Sequence, residues 1–223
     1  QGLADVFFNM WVPFDSETAK EINKELFEAI YLFAMEMSCV LAKESGKYST
    51  FDGSPLSKGQ FQFNLWGIDE DTLKFKEEWI KLRQRIKEYG VKNSLLLALM
   101  PTASTSQIMG NVEAFEAVTS NMYLRKTLAG EFIVMNQYLV SILEKLSLWN
   151  EEMKNRIMYY RGSIQNIKSI PSYIREMFKT VWEISNKNLI DMAADRGPFI
   201  CQTQSMNLFI EKPNFKNLTA MHM

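Results

Sequence analysis

The chain has 223 residues, 47% of them hydrophobic, enough to bury a sizeable core as one large domain or two small ones. Its 25 basic and 26 acidic side chains leave a net charge of −1, which argues against a nucleic-acid or membrane-surface binder driven by bulk charge. One histidine, the penultimate His222, and two cysteines, Cys39 and Cys201, are too few for His-based triads, HExxH or four-cysteine zinc sites, or a disulfide framework; a single Cys39–Cys201 bridge is the alternative to a reducing, cytoplasmic setting, which is the simpler reading.

The start, Gln1-Gly-Leu-Ala-Asp-Val-Phe-Phe, lacks the basic flank of a signal peptide. The longest purely apolar run, Leu95 to Met100, is far short of a bilayer crossing. No initiator Met opens the chain and no polar tail closes it, so both ends read as cut from a longer chain. No linker, repeat or low-complexity tract divides residues 1–223, which read as a single partial domain.

Residues 15–45 predict one long helix. Asp15 and Ser16 are N-cap candidates, and Ile22, Leu26, Ile30, Phe33, Met37 and Val40 recur at spacings of three and four as its core stripe. Gly46 is the expected stop. Residues 47–68 carry Gly53-Ser-Pro, Ser57-Lys-Gly59 and Trp66-Gly67, keep no period, and read as loop. A second helix is expected from Asp71 to Tyr89, with Phe75, Trp79, Leu82, Ile86 and Tyr89 as its seam, a solvated charged coat and Gly90 at its end.

Ser94 to Met100 reads as a strand buried on both faces, as in a parallel sheet. Asn121 to Thr127 is a further short strand. Helical periods cover Asn136 to Leu146, Asn150 to Tyr160 and Ser172 to Asp195, the last long enough to bend. Thr203 to Phe209 alternates like a strand, and Asn214 to Met223 predicts one or two helical turns.

The chemistry-bearing pattern is Pro101-Thr-Ala-Ser-Thr-Ser106, a hydroxyl-rich turn between a strand and a helix start. The first N–H groups of a helix have no intrahelical partner, so an anion fits there without a lysine. Plain N-capping explains the same residues from the local pattern alone. No GxGxxG or GK[ST] occurs. Glu113 with Glu116, and Asp191 with Asp195, are paired carboxylates without an obvious third metal ligand and read as solvated or capping groups. Cys39 reads as a buried core thiol; Cys201 has no basic neighbour to make it reactive.

Asn93-Ser-Leu-Leu-Leu-Ala-Leu-Met-Pro-Thr-Ala-Ser-Thr-Ser-Gln-Ile108 closely resembles the substrate-phosphate segment of class I ribonucleotide reductase large subunits, eukaryotic and viral type. The resemblance continues in order through Gln1-Gly-Leu-Ala-Asp5, Gly53-Ser-Pro-Leu-Ser-Lys-Gly59, Thr119-Ser-Asn121, Gly130-Glu-Phe132, Leu148-Trp-Asn-Glu-Glu-Met-Lys154, Gly162-Ser-Ile-Gln165, Lys179-Thr-Val-Trp-Glu-Ile184, Met192-Ala-Ala-Asp-Arg-Gly197 and Leu218-Thr-Ala-Met-His222. It implies a helix-rich α/β fold, the C-terminal part of a ten-stranded α/β barrel. It implies a parent enzyme that reduces ribonucleoside diphosphates by a radical mechanism, with Thr102, Ala103, Ser104 and Thr105 holding the substrate diphosphate.

The resemblance also implies a parent homodimer, a radical-generating small subunit as partner, redox thiols and ATP or deoxynucleotide effectors, with no metal, membrane or nucleic acid bound by this chain. The small subunit's tail is expected near Met192, Ala194 and Arg196, where small alanines admit a peptide and Arg196 meets a carboxylate. The family's Asn-Leu-Cys radical motif is absent, and its tyrosine pair and effector segments are expected outside these residues, so this chain carries no catalytic residue and is expected to be inert alone. Ala117, Cys201 and Trp11 stand where a proline, an acid and an arginine are usual. The competing reading is a non-enzymatic helical interaction domain in which the Thr102–Thr105 turn is only a cap; a parallel strand pair at Ser94–Met100 separates the two.

Overall fold

The computed structural model describes residues 1–222, the last by its backbone alone; Met223, at the end of the last predicted helix, lies outside the described residues. In chain order the elements are α1 (Leu3–Met10), α2 (Glu17–Ser45), α3 (Gln62–Leu65), α4 (Lys76–Tyr89), α5 (Thr105–Met109), β1 (Met122–Thr127), β2 (Gly130–Met135), α6 (Gln137–Lys145), α7 (Glu151–Tyr159), α8 (Ser172–Met177), α9 (Asn186–Arg196) and α10 (Phe215–His222). They group into two compact units. One holds Gln1–Ala19, Pro101–Leu189 and the residues from Asn207; the other holds Lys20–Met100 and Ile190–Met206.

In the second unit the core forms on one side of α2. Phe27, Tyr31, Leu32, Met35, Cys39 and Ala42 are buried there. The predicted core stripe lies on the other side: Ile30 is 41% exposed, Phe33 60% and Met37 57%, while Ile22, Leu26 and Val40 are half-buried. The period was right and the face was not, because both sides of this helix are apolar and only the packing partners choose between them.

Those partners come from the segment expected to be loop. Phe61 and Phe63 are buried and set their rings 4.7 and 4.9 Å from that of Trp79, which also lies 5.4 Å from the Tyr31 ring. Trp79, Leu82 and Ile86 form the buried seam of α4, as its spacing predicts, and Gly90 ends the helix at a φ of 75°. The buried Glu28 carboxylate accepts from the Lys74 and Phe75 N–H groups and from the Trp79 indole, so its charge is fully hydrogen-bonded.

The two segments predicted as strands meet in parallel, but neither forms a regular strand: the pairing is one isolated bridge with its flanking hydrogen bonds. Gln202 N–H donates to Leu97 O, Leu99 N–H to Thr203 O and Ser205 N–H to Leu99 O, with a parallel bridge between Leu99 and Gln204. An all-helical domain has no place for this pairing. Leu95 to Met100 is not buried on both faces, however: Leu95 is 53% and Met100 67% exposed. Among the described residues the segment pairs along one edge only, which leaves its apolar side chains partly uncovered.

In the first unit β1 and β2 form an antiparallel hairpin, Met122 opposite Met135 and Thr127 opposite Gly130. The strand β1 was expected; β2 was not. Asn136 starts α6 by accepting from the Tyr138 and Leu139 N–H groups, and its amide donates to Asn121. The predicted helix 172–195 is interrupted. The Glu183 carboxylate takes both the N–H and the hydroxyl of Thr180, an alternative to the helical ladder that closes α8 before α9 begins.

Candidate functional site

The turn Thr102–Thr105 leads into α5, whose first residue is Thr105. The first backbone donor taken up is Ser106 N–H, by Thr102 O at 2.9 Å, followed by Ile108 N–H to Ser104 O. Among the described residues no acceptor takes the N–H groups of Ala103, Ser104 and Thr105, and all three residues are exposed. The sequence places them there for a simple reason: they are the turn and first residue leading into α5, so no preceding helical turn offers carbonyls.

The hydroxyls divide into two groups. The Thr102 hydroxyl accepts the Ala114 N–H at 2.8 Å and is half-buried, so it ties the turn to the following loop. The Thr105 hydroxyl is 3.5 Å from Thr102 O, a long contact that leaves it able to turn outward, and Ser104 is exposed. Three adjacent N–H groups and two small hydroxyls that can turn to donate, with no acid among them, suit an anion with several oxygens. Because α5 spans only Thr105–Met109, the local donors rather than a long helix dipole would carry the attraction.

Behind the turn lies a cavity of about 620 Å³. Ala103, Ser106 and Gln107 border it, Tyr123, Arg125 and Val134 of the hairpin form a wall, and Asp5 and Glu113 add carboxylates. Ser104 and Thr105 are not among its lining residues. Gln107 accepts from the Arg125 guanidinium at 2.7 Å, and Asp5 accepts the Val112 N–H at 2.7 Å. Sequence reasoning missed the Val134 side of this wall because it missed β2; the signal was the apolar run Phe132 to Met135 after Gly130. Glu116, one of the paired acids, binds the Asn207 backbone and side-chain N–H groups.

Cys201 has a role its sequence context did not suggest. Its sulfur accepts the N–H groups of Leu96 and Leu97 at 3.0 and 3.1 Å. Cys39 is buried, and burial before any neighbouring charge raises its pKa. Both cysteines are free thiols.

The segment expected to receive a partner peptide is built differently from that expectation. Met192 and Arg196 are buried and Ala194 is exposed. The Arg196 guanidinium donates to Asn23 Oδ1 at 2.9 Å and to Gln204 Oε1 at 2.8 Å, and sits 5.6 Å from the Phe27 ring centre. Arg196 thus holds α2, α9 and the Gln204 strand together within its unit and is not presented outward to a carboxylate.

Comparison with known proteins identifies the family. The sequence pattern of the family described as "Ribonucleotide reductase, barrel domain" matches residues 1–223. The chain is 52% identical over 222 residues to the ribonucleoside-diphosphate reductase large chain of Cryptosporidium parvum, covering 100% of this chain and 27% of that protein. It is 51% identical over 222 residues to the large subunit from Caenorhabditis elegans, covering 100% of this chain and 28% of that one. It is 52% identical over 220 residues to the large subunit of Acanthamoeba polyphaga mimivirus, covering 99% and 25%. The chain thus spans about a quarter of the length of these curated relatives. Among solved structures, the Actinobacillus ureae class Id ribonucleotide reductase alpha subunit superposes with a TM-score of 0.74 at 24% identity, over 99% of this chain and 34% of that one, a likeness of fold. With its helix-rich α/β architecture and a family pattern matched from end to end, the chain belongs to the ribonucleotide reductase barrel-domain family.

Proposed function

We propose that this chain is the C-terminal part of the catalytic barrel of a ribonucleoside-diphosphate reductase large subunit, and that its turn Thr102–Thr105 receives the substrate diphosphate. The observation that carries the second half is the run of three successive N–H groups, at Ala103, Ser104 and Thr105, without an acceptor among the described residues. A diphosphate offers several charged oxygens to such a run, and each charge-assisted hydrogen bond is worth about 1.5–3 kcal/mol. The hydroxyls of Ser104 and Thr105 add donors, while Thr102 braces the turn from behind.

In this reading the chain binds and orients; it does not perform the radical chemistry. The parent protein is the oxidoreductase, cytoplasmic, homodimeric, controlled by ATP and deoxynucleotide effectors, and served by a radical-generating small subunit and redox thiols. These belong to polypeptide outside residues 1–223, and Arg196 is no longer offered as the small subunit's anchor.

The test is a calorimetric titration of the full-length protein with a ribonucleoside diphosphate, comparing wild type with Ser104→Pro and Thr105→Ala. Ser104→Pro deletes one N–H and restricts the turn, so it is expected to weaken binding at least tenfold, a loss of about 1.4 kcal/mol or more. Thr105→Ala is expected to weaken it severalfold. Equal affinity in all three, with circular dichroism unchanged, returns the turn to an ordinary helix start.

A further inference from the structure

The segment from Asn111 to Ala114 meets the candidate anion turn and its helix at both ends. Asn111 N–H donates to Ser106 O at 2.9 Å, within α5, and Ala114 N–H donates to the Thr102 hydroxyl at 2.8 Å, at the opening of the turn. The middle of the segment is tied elsewhere. Val112 N–H donates to Asp5 Oδ2 at 2.7 Å, and Val112 O accepts Gly2 N–H at 3.0 Å. Both backbone groups of Val112 are therefore held at the start of α1. The segment is a strap within the first unit, its ends on the turn and α5 and its centre on α1. A helix as short as α5, Thr105–Met109, does not hold its own shape or place, so what it is tied to decides where the turn points.

Asp5 is the only charged group in this set of ties. It is 7% exposed, and among the described residues its carboxylate makes one hydrogen bond, to an amide 107 positions away. An acid in the first turn of a helix ordinarily serves that helix's own free N–H groups and dipole. This one reaches past them to Val112. A buried carboxylate is costly without a donor, and its bond to an amide is short and directional, so the pair makes a fixed point. The far end of the strap needs one. Ala114 holds a φ of 45°, a conformation that persists only where the surroundings impose it. The clamp on Val112 and the Thr102 hydroxyl supply that constraint from its two sides.

We infer that Asp5 is a positioning residue for the anion turn: through Val112, Ala114 and Thr102 it fixes the direction in which the Ala103, Ser104 and Thr105 N–H groups point. The inference rests on the reading of that turn as the diphosphate site. Asp5 touches no ligand in this scheme. It acts because several donors on a short turn must converge on one anion, and a misplacement of about 1 Å is enough to cost an order of magnitude or more.

The experiment uses the full-length polypeptide and two readouts, calorimetric titration with a ribonucleoside diphosphate and hydrogen exchange at the Ala114 amide without ligand. Asp5→Asn keeps an oxygen for the Val112 N–H and is expected to bind within about twofold of wild type. Asp5→Glu keeps charge and acceptor but is one methylene longer, so it shifts the strap; it is expected to weaken binding about tenfold and to speed exchange at Ala114. Asp5→Ala leaves the Val112 N–H unpaired and is expected to weaken binding at least tenfold. Adding Thr102→Val to Asp5→Ala is expected to cost less affinity than Thr102→Val alone, because both release the same end of the strap. Leu143→Ala, in the core of α6 outside the strap, is expected to lower the melting temperature and leave affinity unchanged. Wild-type affinity in both Asp5→Ala and Asp5→Glu overturns the inference. So does an equal loss in Asp5→Asn, which makes charge the cause, or in Leu143→Ala, which makes affinity follow stability. If Asp5→Ala does not fold, the comparison of Asp5→Asn with Asp5→Glu decides alone. Absence of binding by the wild type removes the diphosphate reading, and exchange at Ala114 then still tests the strap; wild-type binding that no Asp5 variant alters removes this inference alone.

Discussion

The Ala114 N–H donates to the Thr102 hydroxyl at 2.8 Å, across twelve residues of chain. Ala114 holds a φ of 45°, a left-handed conformation that costs a non-glycine residue about 1–3 kcal/mol. The hydroxyl therefore fastens a strained loop residue to the back of the candidate anion turn. Thr102→Val keeps the shape and removes the acceptor, leaving the N–H unpaired. It is expected to lower stability by about 1–3 kcal/mol in urea denaturation, while Thr102→Ser stays near wild type. Equal losses in both variants would mean that the methyl packing, not the hydrogen bond, matters at this position.

Cys201 makes a separate prediction. Two amides, Leu96 and Leu97, converge on its sulfur. Cys201→Asp places carboxylate oxygens where both donors can be accepted and is expected to preserve amide protection of Leu96 and Leu97 in hydrogen exchange. Cys201→Val leaves two donors unsatisfied and is expected to speed exchange there at least tenfold, with about 1–3 kcal/mol of stability lost. Slow exchange in the valine variant would assign the protection to the strand pairing alone.

Gly162 is a third test. It has a φ of 84°, and an added Cβ would lie 1.8 Å from Ser120 Oγ and 2.9 Å from Asn121 N and Met122 O. Left-handed strain of about 1–3 kcal/mol adds to an overpacking cost of about 1–3 kcal/mol. Gly162→Ala is therefore expected to destabilise the protein by about 2–6 kcal/mol, or to prevent its accumulation. A melting temperature within a degree or two of wild type would contradict the tight approach.

The fourth prediction concerns pH. Burial, and then the charge of Asp191, raise the pKa of Asp195 above the ordinary aspartate value. The folded chain thus holds this proton more tightly than the unfolded chain, whose aspartates titrate near about 3.9. Ionisation of Asp195 works against the fold, so its contribution to stability falls as pH rises from about 3.9 through the raised value, and the whole penalty is present at neutral pH. Asp195→Asn is expected to melt above wild type at pH 7, with the difference closing as the pH falls below about 3.9. A variant that melts below wild type at pH 7 would show that Lys20 and Lys24, which oppose the shift, dominate instead.

What the sequence revealed was local and periodic. The α4 seam, the cap at Ser16, the glycine stops and the extended Leu95–Met100 segment follow from spacing and residue chemistry and recur in the fold. Phe61 and Phe63 were not legible as core, because they sit among Gly59 and Gly67 without a period and are covered by residues distant in sequence, Trp79 for both and Phe199 for Phe63. The strand β2 was lost because its pairing partner, rather than its own composition, defines it. The turn Thr102–Thr105 was legible as a cluster of donors. That Thr102 faces inward to Ala114 depends on a loop conformation with no sequence signature.

The pairing of Leu96 and Leu97 with Cys201 joins residues 104 and 105 positions apart. On a ribosome working at about 5–20 residues per second, the first of these segments emerges about 5–20 s before its partner exists. During that interval Leu95 to Met100 is an unpaired apolar strand edge, the kind of surface on which nascent chains aggregate or recruit chaperones. Because so distant a contact forms only after the intervening chain has closed, this pairing is a late event of folding. The candidate anion turn, which begins two residues after that segment, is anchored on its strand side only once synthesis has passed Ser205.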